Sequence, residues 1–292
     1  MIGFDWAEPE SLPEALALLG EGDPSVRPIA GGTALMLMMK AGVFQPSKLV
    51  SLHRLGSELC GIQENALGEL EIGAMTTLTE LQHAPAIAKS FRVVRQALVR
   101  LSNPRVRNVA RVGGALAHGD PHMDLPPLLA MLGARAVIRG LKTMREIAVE
   151  DLYTGYYETV LEPGELITKV TVPPLSGRKA AYAKVTARAV EDWPALGVAL
   201  SFAMDGDAVK EAKVVISAAT EKVTRLPETE KALAGKPADA EALKSAGEVA
   251  AGEASLLSDA QGSAAYKREL LRVYIGRAVR QALSNSHPLR SS

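Results

Sequence analysis

Two glycine pairs, far apart in the chain, constrain its fold more than any other feature. The first lies in Pro28-Ile29-Ala30-Gly31-Gly32-Thr33-Ala34-Leu35. The second lies in Asn108-Val109-Ala110-Arg111-Val112-Gly113-Gly114-Ala115-Leu116-Ala117-His118-Gly119-Asp120-Pro121. Each follows an apolar, strand-like run and leads into a polar turn. Without a Cβ, glycine lets backbone N–H groups approach a ligand closely and adopt positive φ. Successive N–H groups in such turns form concave anion sites. Two such turns suit one long anionic ligand, and a dinucleotide pyrophosphate fits that description.

The surrounding pattern places the first pair in a compact βαβ-like unit. Ser11-Leu12-Pro13-Glu14 has the form of a capping box, and Gly20 stops the helix it opens. Residues 26–30 read as a strand, 33–40 as a short helix and 48–52 as a second strand. Residues 70–74 read as a strand, and 77–83, 86–101 and 124–132 as helices. Strand patterns recur at 135–139 and 166–172, where Pro173-Pro174 end them. The pattern then changes. Residues 180–188 alternate, and 196–204 with 208–218 form a hairpin around Asp205-Gly206. Ala-rich helices cover about 238–254 and 264–284, and the stretch 231–255 reads as a solvated helix–loop–helix. We expect an α+β protein with a domain over residues 1–175 and a second over 176–292.

Composition excludes several functions. The 292 residues hold 33 Lys+Arg and 33 Asp+Glu, so no basic footprint for nucleic acid exists. No apolar run approaches the roughly 20 residues of a membrane span. The first residues lack the basic and apolar regions of a secretory signal, so a cytoplasmic location is expected. The one cysteine, Cys60, excludes an internal disulfide. It equally excludes an iron–sulfur cluster held by this chain alone, which takes about four thiolates. Cys60 has no evident partner His and reads as a small apolar residue. G-x-G-x-x-G, the P-loop and G-x-S-x-G are all absent. His118, Asp120, His122 and Asp124 resemble a metal set, but Gly119 and Pro121 break the helix that would present them, so we expect a polar loop against a ligand rather than a metal site.

Taken together, these segments resemble the FAD-binding (medium) subunit of the molybdenum hydroxylases, the family of carbon monoxide dehydrogenase and xanthine dehydrogenase. The resemblance runs nearly end to end. It is carried by Ala30-Gly31-Gly32-Thr33, Ile72-Gly73-Ala74-Met75-Thr76-Thr77, Val106-Arg107-Asn108, Val112-Gly113-Gly114, Leu116 to Pro121, Asp124-Leu125-Pro126, Pro163 to Ile167, and Lys184…Arg188…Asp192. It implies a two-part FAD-binding domain followed by a small C-terminal domain of antiparallel sheet and helices. It further implies that both glycine segments, Ile29, Ala30, Gly31, Gly32, Thr33, Ala34 and Arg111, Val112, Gly113, Gly114, Ala115, bind the FAD diphosphate through backbone N–H groups. His118 follows in the same polar loop. Asp124 matches a position at the ribityl chain, and Ile167 and Lys184 match positions near the flavin ring. Ala34, Arg111 and Ala115 depart from the polar residues the family usually carries there. No catalytic residue is expected, because the cofactor supplies the redox chemistry.

The resemblance also implies partners: a small iron–sulfur subunit and a large molybdopterin-containing subunit, as a dimer of heterotrimers, with an external electron acceptor. The sequence leaves open a stand-alone flavin reductase and a flavin-less assembly subunit.

Overall fold

The computed structural model describes residues 3–20 and 22–284. The chain begins with a three-stranded parallel sheet of order β1-β3-β2, formed by β1 (Asp5–Ala7), β2 (Val26–Ile29) and β3 (Lys48–Ser51). Helix α1 (Leu12–Leu19) connects the first two strands and α2 (Leu35–Lys40) the next two. Ser11 caps α1 by accepting from the Glu14 N–H at 3.4 Å, but the Glu14 carboxylate accepts from Glu10 N–H, one residue outside the expected box. Leu12, Ala15, Leu16 and Leu19 form the buried stripe of α1, packed on Val26 and Val50.

A short helix, α3 (Gly56–Leu59), leads into an antiparallel sheet of order β4-β5-β10-β6-β7. Its strands are β4 (Ile62–Glu64), β5 (Leu70–Gly73), β6 (Arg135–Arg139), β7 (Met144–Ala148) and β10 (Leu166–Val172). The small hairpin of β8 (Tyr153–Gly155) and β9 (Glu158–Thr159) stands apart from it. Helices α4 (Leu78–His83), α5 (Pro85–Ser90), α6 (Arg92–Arg100), α7 (Pro104–Arg107), α8 (Val112–Ala117) and α9 (Leu125–Met131) fill the long connection between β5 and β6. A complete capping box opens α4: Glu80 N–H donates to Thr77 Oγ1 and Thr77 N–H to the Glu80 carboxylate. The single helix expected over 86–101 is broken at Phe91, whose ring is driven into the core.

Every residue of α9 is buried. A helix apolar on all sides must be covered on all sides. Here one side packs beside α6 and α8, and the other faces a second antiparallel sheet of β11 (Lys179–Val185), β12 (Leu196–Asp205), β13 (Ala208–Ser217) and β14 (Thr224–Arg225). That sheet is itself sandwiched. Ala199 and Val215 face α9, while Val198, Leu200, Phe202 and Ile216 face α10 (Pro227–Leu233), α11 (Ala240–Glu253) and α12 (Ala264–Ser284). Two covered faces explain why β12 reads as an almost unbroken apolar run. Its hairpin turns at Asp205-Gly206, with Gly206 at φ 58°. The helical stretch 231–255 is less solvated than expected, since Leu233, Leu243, Ala246 and Ala250 belong to this core. Among the described residues no helix is long and apolar enough to cross a membrane.

Candidate functional site

The first glycine pair sits where the parallel strand β2 ends and α2 begins, the crevice at which open parallel sheets bind ligands. Gly32 adopts φ 67°, in the left-handed region, as a tight strand-to-helix turn requires. Gly31 is needed for another reason. A Cβ there would lie 2.1 Å from the Val109 carbonyl oxygen and 3.1 Å from Ala110 Cα. The two glycine segments therefore abut backbone to backbone.

The second pair differs from the expected strand-to-turn arrangement. Asn103 caps α7 by accepting from Val106 N–H, so the run preceding the pair is helical. Gly113 and Gly114 lie in the first turn of α8. A helix start leaves its first N–H groups without intrahelical partners. Val112 N–H donates to Thr76 O and Gly113 N–H to Ala74 O, while among the described residues Gly114 N–H has no protein acceptor. The same holds for the N–H groups of Gly31, Gly32, Thr33 and Ala34. A Cβ on Gly113 would strike Ala74 Cβ at 2.7 Å, whereas one on Gly114 would meet only Ala30 Cβ at 4.0 Å. Gly114 and Ala30 thus face each other across a notch lined by unused donors. Arg111, at the N-cap of α8, donates from Nη1 to Met75 O, and its Nε is buried with no acceptor.

Beyond α8 the chain enters the segment from His118 to Asp124. Gly119, at φ 73°, packs on the Tyr157 backbone, and Tyr157 N–H donates to Gly119 O. The His118 ring stands edge-on to Tyr157, with centroids 5.1 Å apart. Burial lowers the His118 pKa, and Asp120 opposes it. Asp120 accepts from the Tyr157 hydroxyl at 3.1 Å and from His122, through both its N–H and Nδ1. Across the domain junction, His122 Nε2 lies 2.9 Å from Asp259, which also accepts from the buried Lys267 at 2.5 Å. Trp193 stacks on the His122 ring at 5.7 Å. Among the described residues no group of side chains has the geometry of a metal site.

Asp124 sits at the N-cap of α9 and is nearly inaccessible. It accepts from the Tyr182 hydroxyl at 2.6 Å and from Lys184 Nζ at 2.9 Å; Lys184 also donates to Arg100 O. Burial pushes the Asp124 carboxyl above the ordinary carboxylate range, against the pull of Lys184. Ile167 is buried on β10, beside a register shift between Ile167 and Lys169, and Thr168 O in that bulge accepts from Ala74 N–H. α8 packs on both β5 and β10.

The structure therefore joins Ile29–Ala34 to Arg111–Ala115 directly and pairs Asp124 with Lys184. Ile167 lies on the strand beneath α8. His118 is turned toward Tyr157. Sequence reading did not find Tyr157, Tyr182, Trp193, Asp259 or Lys267. They stand far along the chain from the residues they touch, and no local spacing marks them.

Residues 2–175 match the family described as the FAD binding domain in molybdopterin dehydrogenase, and residues 180–282 match the CO dehydrogenase flavoprotein C-terminal domain. The chain is 33% identical over 280 residues to the carbon monoxide dehydrogenase medium chain of Afipia carboxidovorans, covering 96% of each chain. It is 30% identical over 278 residues to the glyceraldehyde dehydrogenase medium chain of Sulfolobus acidocaldarius, covering 95% of this chain and 98% of that one. Its fold superposes on a chain in the crystal structure of Cu,Mo-CO dehydrogenase with a TM-score of 0.92 at 33% identity, over 98% of this chain and 100% of the other. A chain in the structure of quinoline 2-oxidoreductase from Pseudomonas putida 86 gives 0.91 at 29% identity, over 98% of each.

Proposed function

This chain belongs to the FAD-binding flavoprotein family of molybdopterin dehydrogenases, oxidoreductase subunits whose cofactor is FAD, and we propose that it is the electron-transfer subunit of a multi-subunit molybdenum hydroxylase. In this reading the chain receives electrons from iron–sulfur clusters on a small partner subunit. Substrate is oxidised on a large molybdopterin-containing subunit, and electrons leave to an external acceptor. The single cysteine supports the division of labour, because this chain cannot ligate a cluster itself. We further take residues 1–175 as the FAD-binding domain and 176–292 as the C-terminal domain, and the cytoplasm as the location.

The observation that carries the reading is the notch between Ala30 and Gly114, with the unaccepted N–H groups of Gly31–Ala34 and Gly114 around it. Gly114 is exposed and Gly31–Ala34 are half-buried, so these five N–H groups, which have no acceptor among the described residues, stand open to an anion at a glycine turn and a helix start. The residues fit a diphosphate. Ala34 and Ala115 supply no side-chain hydroxyl or amide, so recognition there is by backbone. Arg111 stands at the same helix start and brings a positive charge that the neutral residue usual in the family lacks. Bound FAD supplies exchange between two-electron and one-electron chemistry. The protein's part is to hold the diphosphate at the notch, to place Ile167, Asp124 and Lys184 along the remainder of the cleft, and to exclude water through the core around α9.

Denaturing the protein purified with its partners should release FAD, identified by chromatography against FMN. Substrate should reduce that flavin only while the iron–sulfur and molybdopterin subunits are present. A lone chain reduced by substrate would refute the subunit reading, and release of FMN or of no flavin would refute the cofactor site.

A further inference from the structure

We propose that His122 is a positioning residue for the cofactor cleft: its imidazolium, gripped between Asp120 and Asp259, ties the segment from His118 to Asp124 to the C-terminal domain and holds the cleft in its FAD-binding form, an inference that rests on the FAD reading above.

The geometry demands the charged ring. Nδ1 lies 3.0 Å from Asp120 Oδ1 and Nε2 lies 2.9 Å from Asp259 Oδ2. A neutral imidazole has one N–H and one lone pair, so one of these carboxylates would face a lone pair at hydrogen-bond distance. An imidazolium donates to both. The charge balance agrees. Two carboxylates meet two cations, His122 and Lys267, and Lys267 is 0% exposed. Loss of the His122 proton leaves the cluster with an uncompensated negative charge.

The other groups facing the ring do not replace that proton. Tyr157 already donates its hydroxyl to Asp120, and burial with the Asp120 charge holds its pKa well above the ordinary tyrosine value. Tyr156, raised by burial, remains neutral beside it. His118, lowered by burial, stays uncharged near neutral pH. Lys267 is committed to Asp259 and to Ala218 O at 2.8 Å. Burial disfavours charge on His122, but the hydrogen bonds to Asp120 and Asp259 outweigh it and raise its pKa.

The clasp bears on the cleft because it joins the segment from His118 to Asp124 to the C-terminal domain. His122 and Asp259 are 137 positions apart. Pro121 O accepts from Ala218 N–H at 2.8 Å, and Ala218 sits at φ 64°, a region unusual for a residue with a Cβ. The same segment carries His118 at one end and Asp124 at the other. Opening the clasp removes one of the ties on the stretch between the notch and the Asp124–Lys184 pair, leaving those through Pro121, Tyr157 and Asp124.

The sign follows from linkage. A pKa raised in the closed form makes closure most favourable below the ordinary histidine value of about 6.5, and this contribution is lost as pH rises through the raised value. FAD affinity of the full chain should therefore weaken with rising pH, by about tenfold for each unit separating the closed and open His122 pKa values. Equilibrium FAD titrations from about pH 5 to about pH 9 test this, alongside histidine-ring NMR of the five histidines. The His122 resonance is assigned by its absence in His122→Gln. Support requires a His122 titration above the ordinary value whose midpoint coincides with that of the FAD dissociation constant, and an affinity independent of pH in His122→Gln. If that variant does not fold, Asp259→Asn decides: with one carboxylate gone from the clasp, the pH midpoint of FAD binding should shift toward that of an ordinary histidine, and an unchanged midpoint overturns the role. Tight FAD binding that is flat in pH, or a His122 that titrates at the ordinary value, overturns the positioning role alone. Absence of FAD binding at every pH overturns the cofactor reading and this role with it.

Discussion

Replacing Gly114 by valine separates ligand contact from folding. The residue lies in the first turn of α8, where the backbone is helical and the nearest atom to an added Cβ is Ala30 Cβ at 4.0 Å. Removing a helical glycine gains about 0.5–1 kcal/mol, and a β-branched residue gives back roughly half of that. The apo chain should thus keep its stability within about 1 kcal/mol, a shift of some 2–4 °C at most for a protein of this size. Binding should respond very differently. The valine methyls would fill the notch, and forfeiting two charge-assisted hydrogen bonds of about 1.5 kcal/mol each costs about 3 kcal/mol, or a hundredfold in affinity. Gly31→Ala is the matching control. Its Cβ would lie 2.1 Å from the Val109 carbonyl oxygen, so the two glycine segments must separate and the fold itself should lose about 3 kcal/mol. Thermal melts of the apo proteins followed by fluorescence titration with FAD measure both quantities. A Gly114→Val chain of normal stability and normal FAD affinity would show that no ligand occupies the notch.

Lys184→Met should destabilise the chain by about 3–5 kcal/mol in urea titrations, because Asp124 is left buried without its cation; adding Asp124→Asn should recover most of the loss, and additive effects would contradict the pairing. Cys60 is exposed, not packed away as a small apolar residue; partial burial and then Glu80 raise its pKa, with Arg111 opposing, so the thiol should react with a disulfide reagent at neutral pH more slowly than free cysteine and faster in Glu80→Gln. An equal rate in both proteins would remove Glu80 from that account. Thr77→Ala breaks the capping box of α4 and should cost about 1 kcal/mol in the same urea assay, leaving FAD affinity unchanged.

The elements legible in sequence are those whose signals are local. The β2–α2 turn announces itself through a strand, two glycines and a helix in immediate succession, and the β12–β13 hairpin through Asp205-Gly206 between two apolar runs. The second glycine pair stands out in the sequence, but not as a helix start. Its preceding residues, Val106 to Ala110, look like a strand, and only Asn103 and Pro104, placed earlier, mark the α7 cap. The break at Phe91 came from the tertiary demand to bury one ring, which helical periodicity does not register. β4 and β7 were missed because each is an edge strand with one exposed face and a weak pattern. The pairing of His122 with Asp259 is invisible for a simpler reason, since its partners are brought together only by docking of the C-terminal domain. His122 was visible as a residue, in a cluster that the turn residues Gly119 and Pro121 argue against as a metal site, yet its role lies in contacts across the junction.

Synthesis proceeds from the N-terminus, and the placement of α9 sets an order on how the protein matures. The ribosome finishes residues 125–131 long before it makes the strands that cover their second side. Until β12 and β13 emerge and dock, the nascent N-terminal half presents a greasy helix to solvent or to a chaperone. On the proposed cofactor site, cofactor capture is then a late event: Lys184, Asp259 and Lys267, which hold Asp124 and the His122 loop, are all translated after both glycine segments are complete. A chain arrested after Pro174 should accordingly bind an apolar dye and retain FAD poorly, even though it contains both glycine pairs. Full-length affinity in such a truncated chain would show that the cradle matures without its lid of strands.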